Sequence, residues 1–212
     1  MTRKGIVGIY LAAGKSERFG KNKLCAQIGN YPLGSLALLT ALKSYLDKVI
    51  VVTGETDKCD WLAPALSHPD RKKWVQITCR DAFKGQSYSL QCGLRYAEKL
   101  RTEAVIIMLA DQPLISATMI NQLIETYHRR KDGEDITFVA STQSDVICPP
   151  ILFDRSIFGD LYQLEGDMGA RYLIRNRKHE GSFIEFTNPL LFYDVDTWED
   201  YKKLQTKINT PL

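Results

Sequence analysis

A loop that combines glycine with cationic side chains follows the first apolar run of the chain. Residues 6–11, IVGIYL, have the length and composition of a buried strand. The loop after them carries Gly14 and Gly20. It also contains the hydroxyl group of Ser16 and four cationic side chains, Lys15, Arg18, Lys21 and Lys23. Glycine lets a backbone turn sharply, and amides beside several cations suit a polyphosphate. The stretch therefore predicts a phosphate-binding loop, the alternative being a solvated basic loop after a strand.

Two widespread phosphate-binding loops do not match this stretch. A P-loop needs the pattern GxxxxGK[ST], but five residues separate Gly14 from Gly20, and Asn22 stands where serine or threonine should follow the lysine. A dinucleotide fingerprint needs GxGxxG, which is absent from the sequence. We therefore exclude a nicotinamide dehydrogenase of the usual kind.

Carboxylates at two further places could bind a metal. Asp111 follows the apolar run 104–109, AVIIML, and a carboxylate at the tip of a buried parallel strand suits a nucleotide-bound Mg²⁺; the alternative is a turn or helix cap. Asp194 and Asp196 alternate, so that an extended backbone would direct both to one side. One or both could complete the Mg²⁺ site. Asp196 or Thr197 could equally cap the last helix, and the two roles are compatible.

Two more segments place small and polar groups near predicted helix starts. Gly85, Ser87 and Ser89 could meet a base or a phosphate of the nucleotide, or form an ordinary helix start. Gly169 and Arg171 could hold the phosphate of a second substrate, or belong to a surface loop and helix.

The elements that must position these residues alternate along the chain. The sequence predicts strands at 6–11, 49–52, 74–78, 104–109 and 136–140, and strand-like segments at 183–186 and 191–193. Helices are expected at 33–45, 57–66, 87–100, 116–130, 169–177 and 198–208. This alternation favours an α/β fold with three layers, in which helices cover both faces of a mostly parallel sheet. One domain over 1–212 is expected, with 1–140 binding the nucleotide and 141–190 binding the acceptor.

Composition narrows the class of protein. The net charge of +3 and the dispersed basic residues argue against nucleic-acid binding, and no apolar run is long enough to cross a membrane. The N-terminal apolar run is too short for a signal peptide, so we expect a cytoplasmic protein. Five cysteines without a CxxC pair favour reduced thiols, with Cys148 either a reactive thiol near the acceptor or an incidental one.

The loop sequence LAAGxSxRxGxxK resembles the signature of the MobA-like nucleotidyltransferases, which have a Rossmann-like α/β/α fold. Its matching residues are Leu11, Ala12, Ala13, Gly14, Ser16, Arg18, Gly20 and Lys23. LADQP at 109–113 is similar to the family's metal-binding motif. The segment 194–201 resembles DIDTPEDY with Trp198 in place of proline, and this favours Asp196 over Asp194 as the ligand.

Within that family the chain is most similar to the molybdenum cofactor cytidylyltransferases and the related purine-catabolism proteins. The segment at 85–93 resembles GMSxSLRxG, and that at 166–171 resembles GDxGAR. The resemblance implies Mg²⁺-dependent transfer of CMP from CTP to molybdopterin cofactor, with transient contact to a molybdoenzyme. Arg18 and Lys23 would stabilise triphosphate charge, with Lys15 and Ser16 contributing in the loop.

Three rival functions stay open at this point. They are the use of GTP, a different acceptor such as a sugar or polyol phosphate, and a protein that binds and delivers the cofactor without transferring a nucleotide. The catalytic set of Arg18, Lys23, Asp111 and Asp196 argues against delivery alone, because a carrier has no need of it.

Overall fold

The computed structural model describes residues 5–14, 16, 19–20, 22–66, 73–175 and 177–209. Within these residues, one large sheet contains β1 (Ile6–Leu11), β4 (Lys48–Gly54), β5 (Trp74–Cys79), β6 (Ala104–Leu109), β7 (Phe138–Gln143), β8 (Val146–Asp154) and β9 (Gly181–Glu185). A small hairpin contains β2 (Gln27–Ile28) and β3 (Tyr31–Pro32). The α-helices are α1 (Leu33–Leu42), α2 (Gln86–Lys99), α3 (Ala117–Lys131), α4 (Phe158–Leu161), α5 (Arg171–Ile174) and α6 (Trp198–Asn209).

The strands of the large sheet lie in the order β5-β4-β1-β6-β8-β7-β9, and β8 alone among them runs antiparallel to its neighbours. The hairpin between β7 and β8 explains the reversal. Its two turn residues, Ser144 and Asp145, have φ of 49° and 64°, which is the left-handed region that tight hairpins require. The expected mostly parallel sheet is confirmed, and β8 is the exception.

Helices cover both faces of this sheet. On one face, Leu38 of α1, Leu123 of α3 and Leu204 of α6 join a buried apolar cluster with Tyr10. On the other face, α2, α4 and α5 pack on a second cluster that contains Ile9. Alternate residues of β1 therefore face opposite helical layers, as the two-residue period of a strand dictates. The Rossmann-like three-layer α/β/α arrangement is confirmed.

Three predicted elements differ in the structure. Residues 57–66 form turns and a short 3-10 helix at Pro64–Leu66, because Asp57 accepts hydrogen bonds from the backbone of Cys59 and the indole of Trp61 and so favours a turn over a helix. The strand predicted at 191–193 is wrong: Pro189–Phe192 is a 3-10 helix, and the side chain of Asn188 caps it by accepting a hydrogen bond from Leu190 N. The helix predicted at 169–177 is limited to α5.

The parallel strands place the candidate residues together. The carboxyl ends of β1, β4, β5 and β6 meet at one edge of the sheet, and the loops that follow them contain Gly14, Glu55, Phe83 and Asp111. Ligands of open α/β sheets bind beyond this edge. No helix among the described residues has both the length and the apolar character of a membrane span.

Candidate active site

A cavity of about 450 Å³ lies at this edge of the sheet. We call it the first cavity. Ten residues predicted for the site line it, namely Leu11, Ala12, Ala13, Gly14, Ser16, Lys23, Gly85, Ser89, Asp111 and Asp196. They come from the ends of β1 and β6, the start of α2 and the segment before α6. Four chain segments that are distant in sequence thus converge on one space large enough for a small-molecule substrate.

The ammonium group of Lys23 joins two carboxylates at the floor of the first cavity. Lys23 Nζ donates to Asp111 Oδ2 at 2.8 Å and to Asp196 Oδ1 at 3.0 Å, and the whole residue is only 8% exposed. Burial on its own lowers the pKa of Lys23. The negative charges of Asp111 and then Asp196 outweigh burial, so its pKa lies above the ordinary value. Lys23 is therefore a cation at neutral pH, held between two anions.

The local backbone fixes the start of this lysine side chain. Ser16 has φ of 53°, and its carbonyl accepts a hydrogen bond from Phe19 N at 3.0 Å. Its hydroxyl accepts one from Lys23 N at 3.1 Å. Asn22 then caps a 3-10 helix at Lys23–Cys25 by accepting from Leu24 N. Ser16 thus connects the two ends of the loop, a positioning role that residue type alone did not reveal.

The two carboxylates are positioned by backbone contacts between their segments. Val195 N donates to the carbonyl of Asp111 at 3.0 Å, which joins the end of β6 to the segment before α6. Thr197 and Asp200 cap α6 reciprocally, with Asp200 N donating to Thr197 Oγ1 and Thr197 N donating to Asp200 Oδ2. Thr197, and not Asp196, is therefore the cap, while Asp196 contacts Lys23.

Asp194 adds a third negative charge close to this pair. Its carboxyl group does not line the first cavity, although it interacts electrostatically with Asp111 and Asp196. Partial loss of hydration, followed by the charge of Asp111, raises the pKa of Asp194 to about 6, and a hydrogen bond from Gln112 opposes that increase. Gln112 is itself 2% exposed. The carboxylates of Asp111, Asp194 and Asp196 thus all interact with Lys23.

The start of α2 is joined to the loop at 165–169. Ser87 N and Ser87 Oγ donate to the carbonyl of Gly166 at 3.0 and 2.8 Å, so this hydroxyl is used within the protein. Gly85 has φ of 134°, and a Cβ there would lie 2.3 Å from the Gly166 carbonyl. Of the three small residues predicted here, Gly85 and Ser89 line the first cavity and Ser87 supports its wall.

The residues predicted for a second substrate lie beside the first cavity. Asp167 lines it, whereas Gly169 packs against the side chain of Gln86 and Arg171 is exposed at the start of α5. The charges of Arg171 and Asp194 both act on Cys148. Burial, followed by Asp194, raises the pKa of the Cys148 thiol, which disfavours a reactive thiolate.

A second cavity of about 380 Å³ adjoins the first one and shares the Ala12–Gly14 backbone, Ser16, Ala82 and Phe83 with it. Its remaining wall follows β4 and β5 and includes Gly54, Glu55, Thr56, Asp57 and Arg80. Sequence reasoning missed this wall, although the predicted strand at 49–52 and the polar residues after it were an available signal. Lys15, Arg18 and Lys21 lie outside the described residues.

The two carboxylates could also hold a metal ion. Across the described ranges, no three His, Cys, Asp or Glu side chains are grouped as a ready-made metal site. Asp111 and Asp196, however, already bind the cationic end of Lys23, and carboxylate oxygens are ligands that Mg²⁺ prefers. Mg²⁺ in nucleotide sites commonly uses one or two carboxylates together with substrate phosphates. The donor set therefore fits a nucleotide-bound Mg²⁺.

Known proteins resemble this chain in sequence and in fold. The chain is 37% identical to the purine catabolism protein PucB of Bacillus subtilis (strain 168) over 199 residues, which are 92% of this chain and 94% of that protein. It superimposes on Rv0371c of Mycobacterium tuberculosis H37Rv with a TM-score of 0.77 and 25% identity, covering 97% of this chain and 100% of the other. The homologous protein from Mycobacterium sp. strain JC1 gives a TM-score of 0.76 and 28% identity, with 97% and 98% covered.

A family model matches most of the chain. The model of the MobA-like NTP transferase domain matches residues 8–181, a range that contains the loop, Lys23, Gly85, Ser89 and Asp111. Asp196 lies beyond that range but contacts Lys23. The chain belongs to the MobA-like NTP transferase family and is a nucleotidyltransferase similar to PucB.

Proposed function

We propose that the protein transfers CMP from CTP to the phosphate of molybdopterin cofactor and releases pyrophosphate. The observation that carries this proposal is the convergence of Lys23 with Asp111 and Asp196 beneath the glycine-containing loop. The sequence resemblance at 85–93 and 166–171 supports the choice of base and acceptor. The similarity to PucB, a purine catabolism protein, supports a role in maturing a purine-oxidising molybdoenzyme.

Lys23 and the loop amides would act on the triphosphate. An ammonium that is held by two carboxylates can redirect hydrogen bonds to a phosphate oxygen once a nucleotide enters the first cavity. Arg18 and Lys15 would add positive charge, and Ser16 would hold the backbone of Lys23 in place. An acceptor phosphate is already ionised at neutral pH. The transfer therefore needs positioning and charge neutralisation rather than a protein base.

Asp111 and Asp196 would hold Mg²⁺, with Asp194 as the third carboxylate near them. Mg²⁺ bound there would neutralise charge on the α-phosphate and on the attacking oxygen. Asp111 is more enclosed than Asp196, with side-chain exposures of 26% and 50%. Asp196 could therefore rearrange more readily when Lys23 releases it.

The acceptor would occupy the side of the site that Asp194 and Arg171 approach. Arg171 is exposed and carries a full positive charge, which suits a phosphate, and Gly169 adds a backbone amide nearby. A transient complex with the molybdoenzyme would receive the product. Both substrates and this partner are consistent with a cytoplasmic setting.

Pyrophosphate release tests the proposal directly. The assay uses Mg²⁺ with CTP or GTP, each with and without molybdenum cofactor. Release from CTP that requires the cofactor is the expected result. Release from GTP alone would overturn the choice of base, and release only with a sugar or polyol phosphate would overturn the acceptor. Tight cofactor binding without release from any nucleotide would favour a delivery protein.

The metal assignment needs its own variants. In Asp111→Asn and Asp196→Asn, we expect the Mg²⁺ concentration for half-maximal activity to rise by about tenfold or more, since each variant removes one carboxylate ligand. The control is Asp135→Asn, which changes an exposed aspartate distant in sequence from the site. An unchanged Mg²⁺ requirement in both site variants would contradict the assignment.

A further inference from the structure

Two cysteines outside the catalytic set, Cys79 and Cys92, lie in direct contact next to the two cavities. Cys79 is the last residue of β5, and Cys92 lies in the middle of α2. The distance between their sulfur atoms is 2.6 Å. A disulfide bond needs about 2.05 Å between sulfurs, so a small movement of side chains would suffice to form one. Both cysteines are free thiols in the structure.

The two thiols differ in their surroundings. Cys79 is fully buried and donates to the carbonyl of Tyr88 at 3.4 Å. Burial and then the adjacent Cys92 sulfur raise the pKa of Cys79 to about 12. Cys92 is partly exposed, and Arg95 Nη2 donates to its sulfur at 3.6 Å. Cys92 is thus the sulfur that a soluble oxidant can reach. Cys79 is the buried thiol in contact with it.

These contacts connect the thiol pair to the substrate cavities. Cys79 contributes to the wall of the second cavity. The next residues, Arg80–Lys84, form a 3-10 helix that includes Phe83 of both cavities. Ser89, which lines the first cavity, lies one helical turn before Cys92 on α2. A bond between the two sulfurs would close residues 79–92 into a covalent loop that contains this wall.

We propose that Cys79 and Cys92 form an oxidation site at which a hydroperoxide produces an intramolecular disulfide, and that this bond restrains the cavity wall. In the first step, Cys92 sulfur attacks a peroxide oxygen, an S–O bond forms and the O–O bond breaks. The product is a sulfenic acid, and the alkoxide or hydroxide that leaves takes the thiol proton. Cys79 sulfur then attacks Cys92 sulfur and passes its proton to the departing oxygen as the S–O bond breaks, so water leaves and the buried thiol, whose pKa is raised, does not have to ionise beforehand. The two thiols together lose two electrons, and the hydroperoxide gains them.

Peptide mapping tests the oxidation site without reference to the proposed function. Trypsin cleaves after Lys73, Arg80, Lys84 and Arg95, so the two cysteines fall in the peptides 74–80 and 85–95. After treatment of the full chain with hydrogen peroxide, we expect these peptides to be joined and to separate again after dithiothreitol. The joined pair should be lost in Cys92→Ser and kept in Cys148→Ser, the matched control. Cys92 oxidised to other forms, or joined to a different cysteine, would overturn the proposal.

Ligand binding tests whether the bond restrains the wall. We expect the oxidised chain to bind CTP with Mg²⁺ at least about threefold more weakly than the reduced chain, an effect of roughly 0.7 kcal/mol. Dithiothreitol should restore the affinity, and peroxide should leave the affinity of Cys92→Ser unchanged. Equal affinity in the oxidised and reduced chains would overturn the coupling. The CTP-binding measurement rests on the proposed function. A reduced chain that binds no CTP would count against that function, and peptide mapping would still decide the oxidation site.

Discussion

Lys23 Nζ donates to Asp111 Oδ2 at 2.8 Å, although 88 residues separate the two in the chain. The contact joins the loop after β1 to the loop after β6, and these two strands are neighbours in the sheet. Because parallel strands end at the same edge, their following loops are brought together by the fold itself. Asp196 contacts the same ammonium from a third segment. The positive charge of the buried Lys23 therefore compensates the negative charges of two carboxylates, which reach it from different segments of the chain.

Replacing Lys23 by alanine tests whether this cation acts in the reaction. We expect Lys23→Ala to remain folded and to lose activity by about 10²–10³-fold, because charge on the triphosphate would lose its preorganised partner. Pyrophosphate release measures the loss, and circular dichroism checks the fold. Lys99→Ala, at an exposed position of α2, is the matched control. A folded Lys23→Ala protein with near-normal turnover would refute the assignment.

The positions of the loop and of Asp111 were predictable from sequence because each follows a strongly apolar strand. Runs such as IVGIYL and AVIIML identify buried parallel strands, and the topology rule then places Gly14 and Asp111 at one edge. The antiparallel β8 was not predicted, since its direction depends on a two-residue turn at Ser144 and Asp145. Neither turn residue is a glycine, so the sequence does not indicate the left-handed backbone that both adopt.

Side-chain direction was the part that the sequence could not supply. Ser87 and Ser89 are two residues apart at the start of one helix, and sequence reasoning gave both the same role. The structure separates them, because the loop at Gly166 approaches closely enough to accept the Ser87 hydroxyl. That approach depends on Gly85, whose φ of 134° and missing Cβ make room for the Gly166 backbone. A contact between segments 79 residues apart has no local signal.

The two serines should therefore respond differently to substitution. Ser89→Ala is expected to raise the KM for the nucleotide without lowering the melting temperature, since Ser89 lines the first cavity. Ser87→Ala should lower the free energy of unfolding by about 1 kcal/mol through loss of its hydrogen bond to Gly166. Steady-state kinetics and urea unfolding of both variants make the comparison, each serving as the control for the other. Identical effects in the two variants would contradict the difference seen in the structure.

The buried carboxylate of Asp154 should make the free energy of unfolding depend on pH in the acidic range. It accepts hydrogen bonds from Tyr127 Oη at 2.6 Å and Ser156 N at 2.7 Å, and it pairs with Lys131 at 2.9 Å. Burial opposes ionisation, but these donors, led by Ser156, outweigh burial and place the pKa of Asp154 below its usual value. Because the folded pKa is the lower one, this stabilisation is complete above the unfolded pKa of about 4 and disappears as pH falls through the folded pKa.

Asp154→Asn measures that contribution. At pH 7 we expect the variant to lose about 2 kcal/mol of unfolding free energy, since charged hydrogen bonds are replaced by neutral ones inside the protein. The difference from the unmodified protein should shrink as pH falls below about 4, because the carboxylate of the unfolded chain binds a proton there while the folded Asp154 remains ionised, and the difference should level off below the folded pKa. Urea unfolding at a series of pH values measures both, with Asp135→Asn as the exposed control. A difference that stays constant down to strongly acidic pH would show that charge is not its cause.

Two glycines offer a matched test of the close approach between α2 and the loop at 165–169. A Cβ at Gly85 would lie 2.3 Å from the Gly166 carbonyl, and the φ of 134° is unfavourable for any other residue. Gly85→Ala should therefore lower the unfolding free energy by about 1–3 kcal/mol and reduce activity as the cavity wall shifts. At Gly159, in α4, an added Cβ meets no atom within 4 Å, so Gly159→Ala should be neutral or slightly stabilising. Thermal unfolding and pyrophosphate release of the two variants decide the matter: if Gly85→Ala is as stable and active as Gly159→Ala, the wall does not depend on this backbone contact.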